Sequence, residues 1–528
     1  MEKFFNTAGP ISTDIHYYVD ARDRWDFEDV LFLIRARKYF VLHAPRQTGK
    51  TSALLALMHQ LNESGQYEAV YANIEPAQAA RENIESGIKT ICVDIAKRHE
   101  MYIKNQLLVD AWEEIFKKEG ANYALRGLLT YWASKTEKPV VLFLDEVDAL
   151  IGDTLISLLR QLRSGYDSRP SNFPISIVLC GVRDVRDYRI HSSRTKEIIT
   201  GGSAFNVKAE SLRLENFSKA QIQQLYEQHT TATGQVFEEG IWDLAWVYTH
   251  GQPWLVNALA YEVTHNMKAN RDRSRPITAE LFQEAKERLI LRRDTHLDQL
   301  VDKLQEQRVK NVIEPLLEGK EQVEFIREDD LQYVIDLGLV RRGISKTYEI
   351  SNAIYKEVIP RELTYTTQYT MRQDQAWYIN ENGSLNMEKL LVSFQDFFRK
   401  NSEHWIQMSD YQEAGPQLLL QAFLQRIVNG GGRIEREYGF GRGRTDLFIE
   451  FFYPQEQPTA KQEIVLELKI LYSNLEQTLQ DGIQQTKAYM DKCGTDIGHL
   501  LIFDRRKGKT WEEKTWRKAV DGIEIWGC

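Results

Sequence analysis

Cysteine is scarce in this chain of 528 residues: Cys92, Cys180, Cys493 and Cys528 stand far apart, with no CxxC pair. That usage excludes a disulfide scaffold and a zinc ribbon and points to a reducing compartment, the cytoplasm. Long apolar runs are missing too. The longest, such as Val140–Leu144, fit a strand and not a bilayer, so no membrane span is expected. The opening MEKFFNTAGP lacks the apolar stretch of a signal peptide. The histidines show no HxxxH or Cys/His ligand spacing, which argues against a histidine metal centre. There is no internal repeat and no low-complexity tract. Positive charge is not in excess: 67 Lys and Arg against 76 Asp and Glu give a formal net charge of −9, which excludes a histone-like coat for nucleic acid but leaves room for a local basic site. What is present, 42% hydrophobic and 27% charged residues, is the balance of a globular chain and excludes extended disorder. At roughly 100–200 residues per domain, three or four units are expected.

The first of these alternates apolar strands with helices. Phe27–Arg37 reads as a helix and Tyr39–His43 as a strand buried on both faces. A polar turn, Ala44–Thr48, then leads into a helix near Gly49. Ala69–Ile74, Val140–Leu144 and Ile175–Cys180 are further strands of a parallel sheet, with helices between them. From about Ser211 only helices are expected, at Ser218–His229, Phe237–His250, from Pro253 and at Ala279–Arg293. Helices near Asp298–Leu317 and Glu328–Leu337, followed by LGLVRR and YEIS, have the order of a winged helix. Thr364–Gln373 is polar and aperiodic, the best linker candidate. After it come an apolar helix at Gln417–Val428, strands at Arg433–Tyr438, Thr445–Phe451 and Glu463–Leu471, a Gln-rich helix at Leu475–Asp491 and a strand at His499–Phe503.

Two stretches carry chemistry. Ala44-Pro45-Arg46-Gln47-Thr48-Gly49-Lys50-Thr51, with Ser52 next, matches the phosphate-loop pattern GxxxxGK(S/T) except for its first glycine, in the required strand–turn–helix setting. Backbone N–H groups would face phosphate oxygens, Lys50 would reach the β- and γ-phosphates, and Thr51 would offer its hydroxyl to Mg2+. The strand Val141–Leu144 ends in Asp145 and Glu146, the order of a Walker B element. Asp145 would hold Mg2+ and Glu146 would orient or deprotonate the attacking water.

APRQTGKTS, LFLDEVDAL, LCGVRDVRD and HGQPWLVNAL together resemble the AAA-like ATPases of the STAND group over about residues 25–360. The resemblance implies ATP as ligand, a γ-phosphate sensor at Arg183, and a helical lid whose Pro253 approaches the nucleotide. It also implies that a winged helix follows. Sites of this class often gain an arginine from a neighbour, so a homo-oligomer is compatible. Arg160, Arg163, Arg186, Arg189 and Arg194 stay open as that arginine.

In the C-terminal block, Gly443-Arg444-Thr445-Asp446 precedes Glu467-Leu468-Lys469 by one strand. Residues i and i+2 of a strand share a face, so Glu467 and Lys469 project together while Leu466 and Leu468 pack on the other side. A charged pair in so apolar a strand needs partners or a ligand. Two carboxylates, Asp446 and Glu467, can hold Mg2+ at a scissile phosphate, with Lys469 stabilising the developing charge. Arg442 and Arg444 on the approach suit a phosphate backbone, although Glu435 and Glu437 interleave with the arginines nearby. This block resembles the PD-(D/E)xK nuclease superfamily over about residues 410–505, with Thr445 where the name has proline. Gln485-Thr-Lys-Ala-Tyr489 matches the QxxxY helix of its RecB-type members, where these residues contact the substrate or support the lysine. Glu413 is the candidate for an additional acid.

The expected architecture is therefore an α/β multidomain chain. It comprises a P-loop parallel-sheet ATPase core (1–210), a helical lid (211–294), a winged-helix-like domain (295–363), a linker (364–400) and an α/β restriction-endonuclease-like domain (401–528). The expected activity is ATP hydrolysis joined to Mg2+-dependent cleavage of nucleic acid, DNA first, in a setting of prokaryotic defence or mobile elements that the resemblance alone implies. The alternative is an ATP-dependent signalling switch or scaffold whose nuclease-like domain binds without cutting.

Overall fold

In the computed structural model the described residues are 3–184, 189–191, 198–200, 205–292, 302–317, 326–343, 347–363, 378–408, 420, 423–424, 432–440, 443–453, 460–506 and 508–528; at 189–191, 198–200, 208–209, 291, 314, 360–363, 400–408, 432–440 and 443–446 the description is of the backbone alone. The chain divides into two compact units, Met1–His296 with Leu331–Arg341, and Leu297–Asp330 with Arg342–Cys528.

Consecutive apolar residues build the sheet of the first unit, because a strand covered by helices on both faces has no use for alternate polar positions. Tyr39–His43 (β1), Glu68–Asn73 (β2), Val140–Asp145 (β3), Ser176–Gly181 (β4) and Lys208–Arg213 (β5) all pair in parallel, in the order β2-β3-β4-β1-β5. Alternate side chains enter two cores. Tyr39, Val41, Leu142 and Leu144 pack with Ile88, Leu128 and Leu158. Phe40, Leu42, Val141 and Phe143 pack with Val30, Leu54 and Leu57. The second core is closed by helices Phe27–Arg35 (α1) and Lys50–Glu63 (α2), the first by Ile84–Ile103 (α3), Leu107–Glu119 (α4), Ala124–Lys135 (α5) and Gly152–Ser164 (α6). β5 was not expected: strand structure continues through Arg213, past the anticipated end of the core at 210. Among the described residues it lies at the sheet edge, with β1 as its one strand neighbour, and its sequence KAESLR carries no apolar run.

Helices Lys219–Thr233 (α7), Ile241–Thr249 (α8), Pro253–Tyr261 (α9) and Ala279–Arg292 (α10) follow. Ser218 and Gln221 form a reciprocal capping box at the start of α7, and Pro253 takes the first position of α9. Gln307–Leu317 (α11), Glu328–Asp336 (α12), the short strands Val340–Arg342 and Tyr348–Ile350, and Ala353–Leu363 (α13) come next. Thr364–Gln373 falls outside the described residues.

The expectation of a linker through residue 400 is corrected. Met387–Met408 (α14) is a helix, and its Leu390, Leu391, Phe394 and Phe398 are buried with Leu447, Ile449, Leu466 and Phe503 in the core of the second unit. Apolar residues three to four positions apart put one helix face against the sheet. That sheet is mixed: Gly432–Phe440 (β6), Gly443–Tyr453 (β7), Ala460–Leu471 (β8), Gly498–Asp504 (β9), Trp516–Val520 (β10) and Ile523–Gly527 (β11) run in the order β6-β7-β8-β9-β11-β10. β8, β9 and β11 are mutually parallel, and the outer pairings are antiparallel. Leu475–Cys493 (α15) covers the other face over Leu471, Leu500 and Ile502. Among the described residues no helix is long and apolar enough to cross a membrane.

Candidate functional site

At the end of β1 the chain turns through Ala44–Thr48 into α2. Gln47 and Gly49 adopt left-handed conformations, φ 57° and 91°, which curl the loop so that its amides can converge. Lys50 folds back over this curl, and its Nζ donates to the carbonyls of Ala44 and Pro45 at 3.0 Å each. Its side chain is buried, yet no carboxylate forms an ion pair with it among the described residues. An ammonium held by neutral carbonyls retains its charge for an incoming anion. Pro45 also accepts from Thr48 Oγ1 at 2.8 Å; Arg46 and Gln47 are exposed, and Ala44 is buried. The methyl group of Ala44 thus fits where the pattern has glycine.

β3 delivers Asp145 beside the loop, fully buried. Thr51 Oγ1 donates to its Oδ2 at 2.7 Å, Tyr71 Oη donates to the same oxygen at 2.9 Å, and the Glu146 N–H donates to Oδ1 at 2.9 Å. The Cys180 thiol lies behind the carboxylate, and burial pushes its pKa well up, so it stays a neutral donor. The Thr51 hydroxyl and Asp145 carboxylate are hard oxygen donors at hydrogen-bond separation, a pair that fits a magnesium ion. Glu146 is half-buried in a left-handed conformation, φ 60°. Burial, then the neighbouring Asp148, raises its pKa, while Lys50 acts in the opposite sense.

Arg183 follows β4, its Nε 3.5 Å from Asp336 Oδ2 and its guanidinium over the Tyr333 ring at 4.9 Å. Both partners belong to α12, in the stretch Leu331–Arg341 that is part of the first unit. Arg213 of β5 donates to the Ile335 carbonyl at 3.4 Å, and Arg341 meets His250 Nε2 at 3.0 Å. Gly338 comes so close to the phosphate loop that an added Cβ would lie 2.7 Å from Pro45 Cγ, so only glycine fits there. Pro253 is buried at the head of α9, where the Gln252 side chain caps Leu255 N–H at 2.6 Å. Ser52 Oγ accepts from Ile11 N–H at 3.0 Å, and Trp254 Nε1 donates to the Thr7 carbonyl at 2.8 Å. The N-terminal segment thereby bridges α2 and α9. Of the open arginines, Arg160 and Arg163 are exposed, Arg189 is described by its backbone alone, and Arg186 and Arg194 lie outside the described residues.

In the second unit Glu467 is buried on β8, and Lys469 Nζ donates to its Oε1 at 2.7 Å. The register pairs these two residues with Leu500 and Ile502 of β9, on the sheet face that α15 covers. Asp446 and Glu467 stand one position beyond the paired Leu447 and Leu466 on adjacent strands. Asp446 and Arg444 are described by backbone only, and Arg442 and Glu413 lie outside the described residues. On α15, Gln485 is exposed and Tyr489 half-buried. Among the described residues no group of three His, Cys, Asp or Glu could hold a metal ion.

Residues 7–359 match the family described as AAA-like domain. The chain belongs to that family. Solved structures similar to it include the Walker-type ATPase PABY2304 of Pyrococcus abyssi, 16% identical over 67% of this chain and 99% of that one, TM-score 0.47. ORC2 of Aeropyrum pernix, in ADPNP and ADP complexes, is 14% identical over 64% of this chain and 94% of its own, TM-score 0.35. The Thermotoga maritima Holliday junction branch migration motor RuvB is 14% identical over 63% and 93%, TM-score 0.34. No curated protein matches. The chain is thus a P-loop ATPase of the AAA-like domain family, with a separate mixed sheet at its C-terminal end. Within the AAA-like domain, sequence reading missed Tyr71 and the contribution of residues 331–341. The only available signal was Tyr71's place near the end of a buried strand, where a hydroxyl needs a partner.

Proposed function

We propose that this AAA-like ATPase drives or licenses a magnesium-dependent phosphodiesterase in its own C-terminal unit, acting on nucleic acid and on DNA first. In the ATPase, Lys50 and the loop amides bind the β- and γ-phosphates, Thr51 and Asp145 hold magnesium, and Glu146 accepts a proton from the water that attacks the γ-phosphorus as the bond to ADP breaks. Arg183 responds to the γ-phosphate and Pro253 borders the nucleotide. Residues 295–363 act as a winged helix, with part of it committed to the ATPase.

One observation supports the nuclease reading above the rest: a buried glutamate and a lysine joined at 2.7 Å on one face of a mixed sheet. Such a pair brings no net stability over apolar residues of the same volume, and stranding its buried carboxylate costs about 2 kcal/mol once the partial exposure of the lysine is allowed for. Chemistry is a reason to keep it. Asp446 on the neighbouring strand completes the acid pair for magnesium, Lys469 faces the charge that develops on the scissile phosphate, and Gln485, Tyr489, Arg442 and Arg444 contact the strand. Magnesium there supplies an activated water and charge neutralisation. Glu413 is the further acid. A homo-oligomer could supply an arginine to the ATP site.

The test is incubation of the purified protein with supercoiled and linear DNA, and separately with RNA, with and without ATP and magnesium. Cleavage that Asp446→Ala and Glu467→Gln abolish, with ATP hydrolysis kept within about twofold, is expected. Intact substrates under every condition would instead favour a switch or scaffold that binds without cutting.

A further inference from the structure

Arg24 belongs to neither recognised motif, yet its guanidinium joins the phosphate loop to the base of the lid. Nη1 donates to the Thr48 carbonyl at 2.5 Å, Nη2 donates to the Glu215 carbonyl, and the group lies over the Phe217 ring at 4.8 Å. Glu215–Phe217 is the segment that enters α7. Phe217 N–H continues the connection to the Gly251 carbonyl at 2.8 Å, two residues before α9 begins. Gln221 of α7 donates to the Asp23 carbonyl at 2.8 Å, so the residue beside Arg24 is tied to the lid as well.

What this does to the loop follows from peptide geometry. Thr48 sits between the two left-handed residues Gln47 and Gly49. A trans peptide is planar, with its C=O and N–H pointing in opposite directions. Whatever holds the Thr48 oxygen therefore fixes the direction of the Gly49 N–H, one of the amides that must face phosphate. Flipping that peptide would require breaking the bond to Arg24. Nη1 also stands 2.9 Å from where a Cβ on Gly49 would lie, so the guanidinium is packed directly against the turn. Burial lowers the pKa of Arg24 to about 10, opposed by Glu215, so the group is still cationic at neutral pH and both donors stay in place.

We propose that Arg24 is a positioning residue for ATP turnover, a fork that sets the phosphate-loop amides and the base of the lid together. A lysine retains the charge but lacks the planar fork that reaches two carbonyls at once. In the full chain, Arg24→Lys is expected to raise KM for ATP about tenfold, with a smaller loss of kcat. Arg24→Ala is expected to lose more, and added guanidinium, but not ammonium, should restore part of the nucleotide affinity read with a fluorescent ATP analogue. Parental KM and kcat in Arg24→Lys would overturn the proposal. So would an Arg24→Ala protein whose deficit follows its loss of melting temperature and does not respond to guanidinium. Should Arg24→Ala fail to fold, the lysine variant decides alone.

Discussion

The two units each set a lysine beside acidic residues, Lys50 buried and Lys469 partly exposed, and they store it differently. Lys50 rests on two neutral carbonyls at 3.0 Å, whereas Lys469 is bonded to the Glu467 carboxylate at 2.7 Å. The first arrangement keeps a positive charge ready for phosphate, and the nearby Asp145 is saturated instead by Thr51, Tyr71 and a backbone amide. The second is internally neutralised, and under the proposed nuclease reading a divalent cation would have to compete with Lys469 for the glutamate. Similar residues thus differ in what their hydrogen-bond partners leave available, a free positive charge in one case and a neutral pair in the other.

The sharpest way to break this comparison is to remove the proposed base beside Lys50, Glu146. Glu146→Gln should leave nucleotide binding within about twofold and lower kcat by about 10²–10⁴, measured by phosphate release and by titration with a fluorescent nucleotide. Because burial raises the Glu146 pKa, the base form is lost at a higher pH than for an ordinary glutamate as the solution is acidified. The acid limb of kcat should therefore lie above the usual carboxylate range and disappear in the glutamine variant.

The lysines themselves come next. Lys50→Ala should weaken ATP binding by about 100-fold or more, equivalent to about 2.7 kcal/mol, with little change in melting, since it leaves behind only two carbonyls that water or neighbouring donors can satisfy. Lys469→Ala should do the reverse. It leaves ATP affinity unchanged but strands a buried carboxylate, and about 2 kcal/mol of stability should go from the second unit, after allowance for the partial exposure of the lysine. Equal melting losses in the two variants would end the distinction. The smallest effect concerns a third basic residue: Asp336→Asn removes the negative partner of Arg183 and should raise ATP turnover about two- to fivefold if that pair holds the arginine back. An unchanged or lower rate would show that the ion pair merely supports the fold.

The phosphate loop and the Asp145-Glu146 strand end were legible because they are local: one turn and one strand specify them. The Glu467-Leu468-Lys469 alternation was legible for the same reason. Tyr71 and Arg24 were not, because their roles depend on neighbours 74 and 24 residues away. Residues 331–341 looked like part of one helix-and-wing motif, and nothing in their own pattern marks Asp336 as the partner of Arg183. The linker reading rested on the polar, aperiodic Thr364–Gln373 and was carried past the Asn380-Glu-Asn-Gly-Ser384 turn. Immediately beyond it, the spacing of Leu390, Leu391, Phe394 and Phe398 already gives a one-sided helix, as their burial bears out. Edge strands β5 and β10 escaped notice because their exposed positions dilute the apolar signal.

The scarcity of cysteine has a practical use. Cys92, Cys180 and Cys528 are buried, and burial raises their pKa values, to about 12 for Cys92; Cys493 is the one of the four with partial exposure. The wild-type chain therefore offers a single thiol to a bulky maleimide dye, at the last residue of α15 and one helical turn from Tyr489. Burial raises the Cys493 pKa as well, so conjugation is favoured on the alkaline side of neutrality. A fluorophore placed there would report on the C-terminal unit without any engineered substitution, while the ATP site stays chemically untouched.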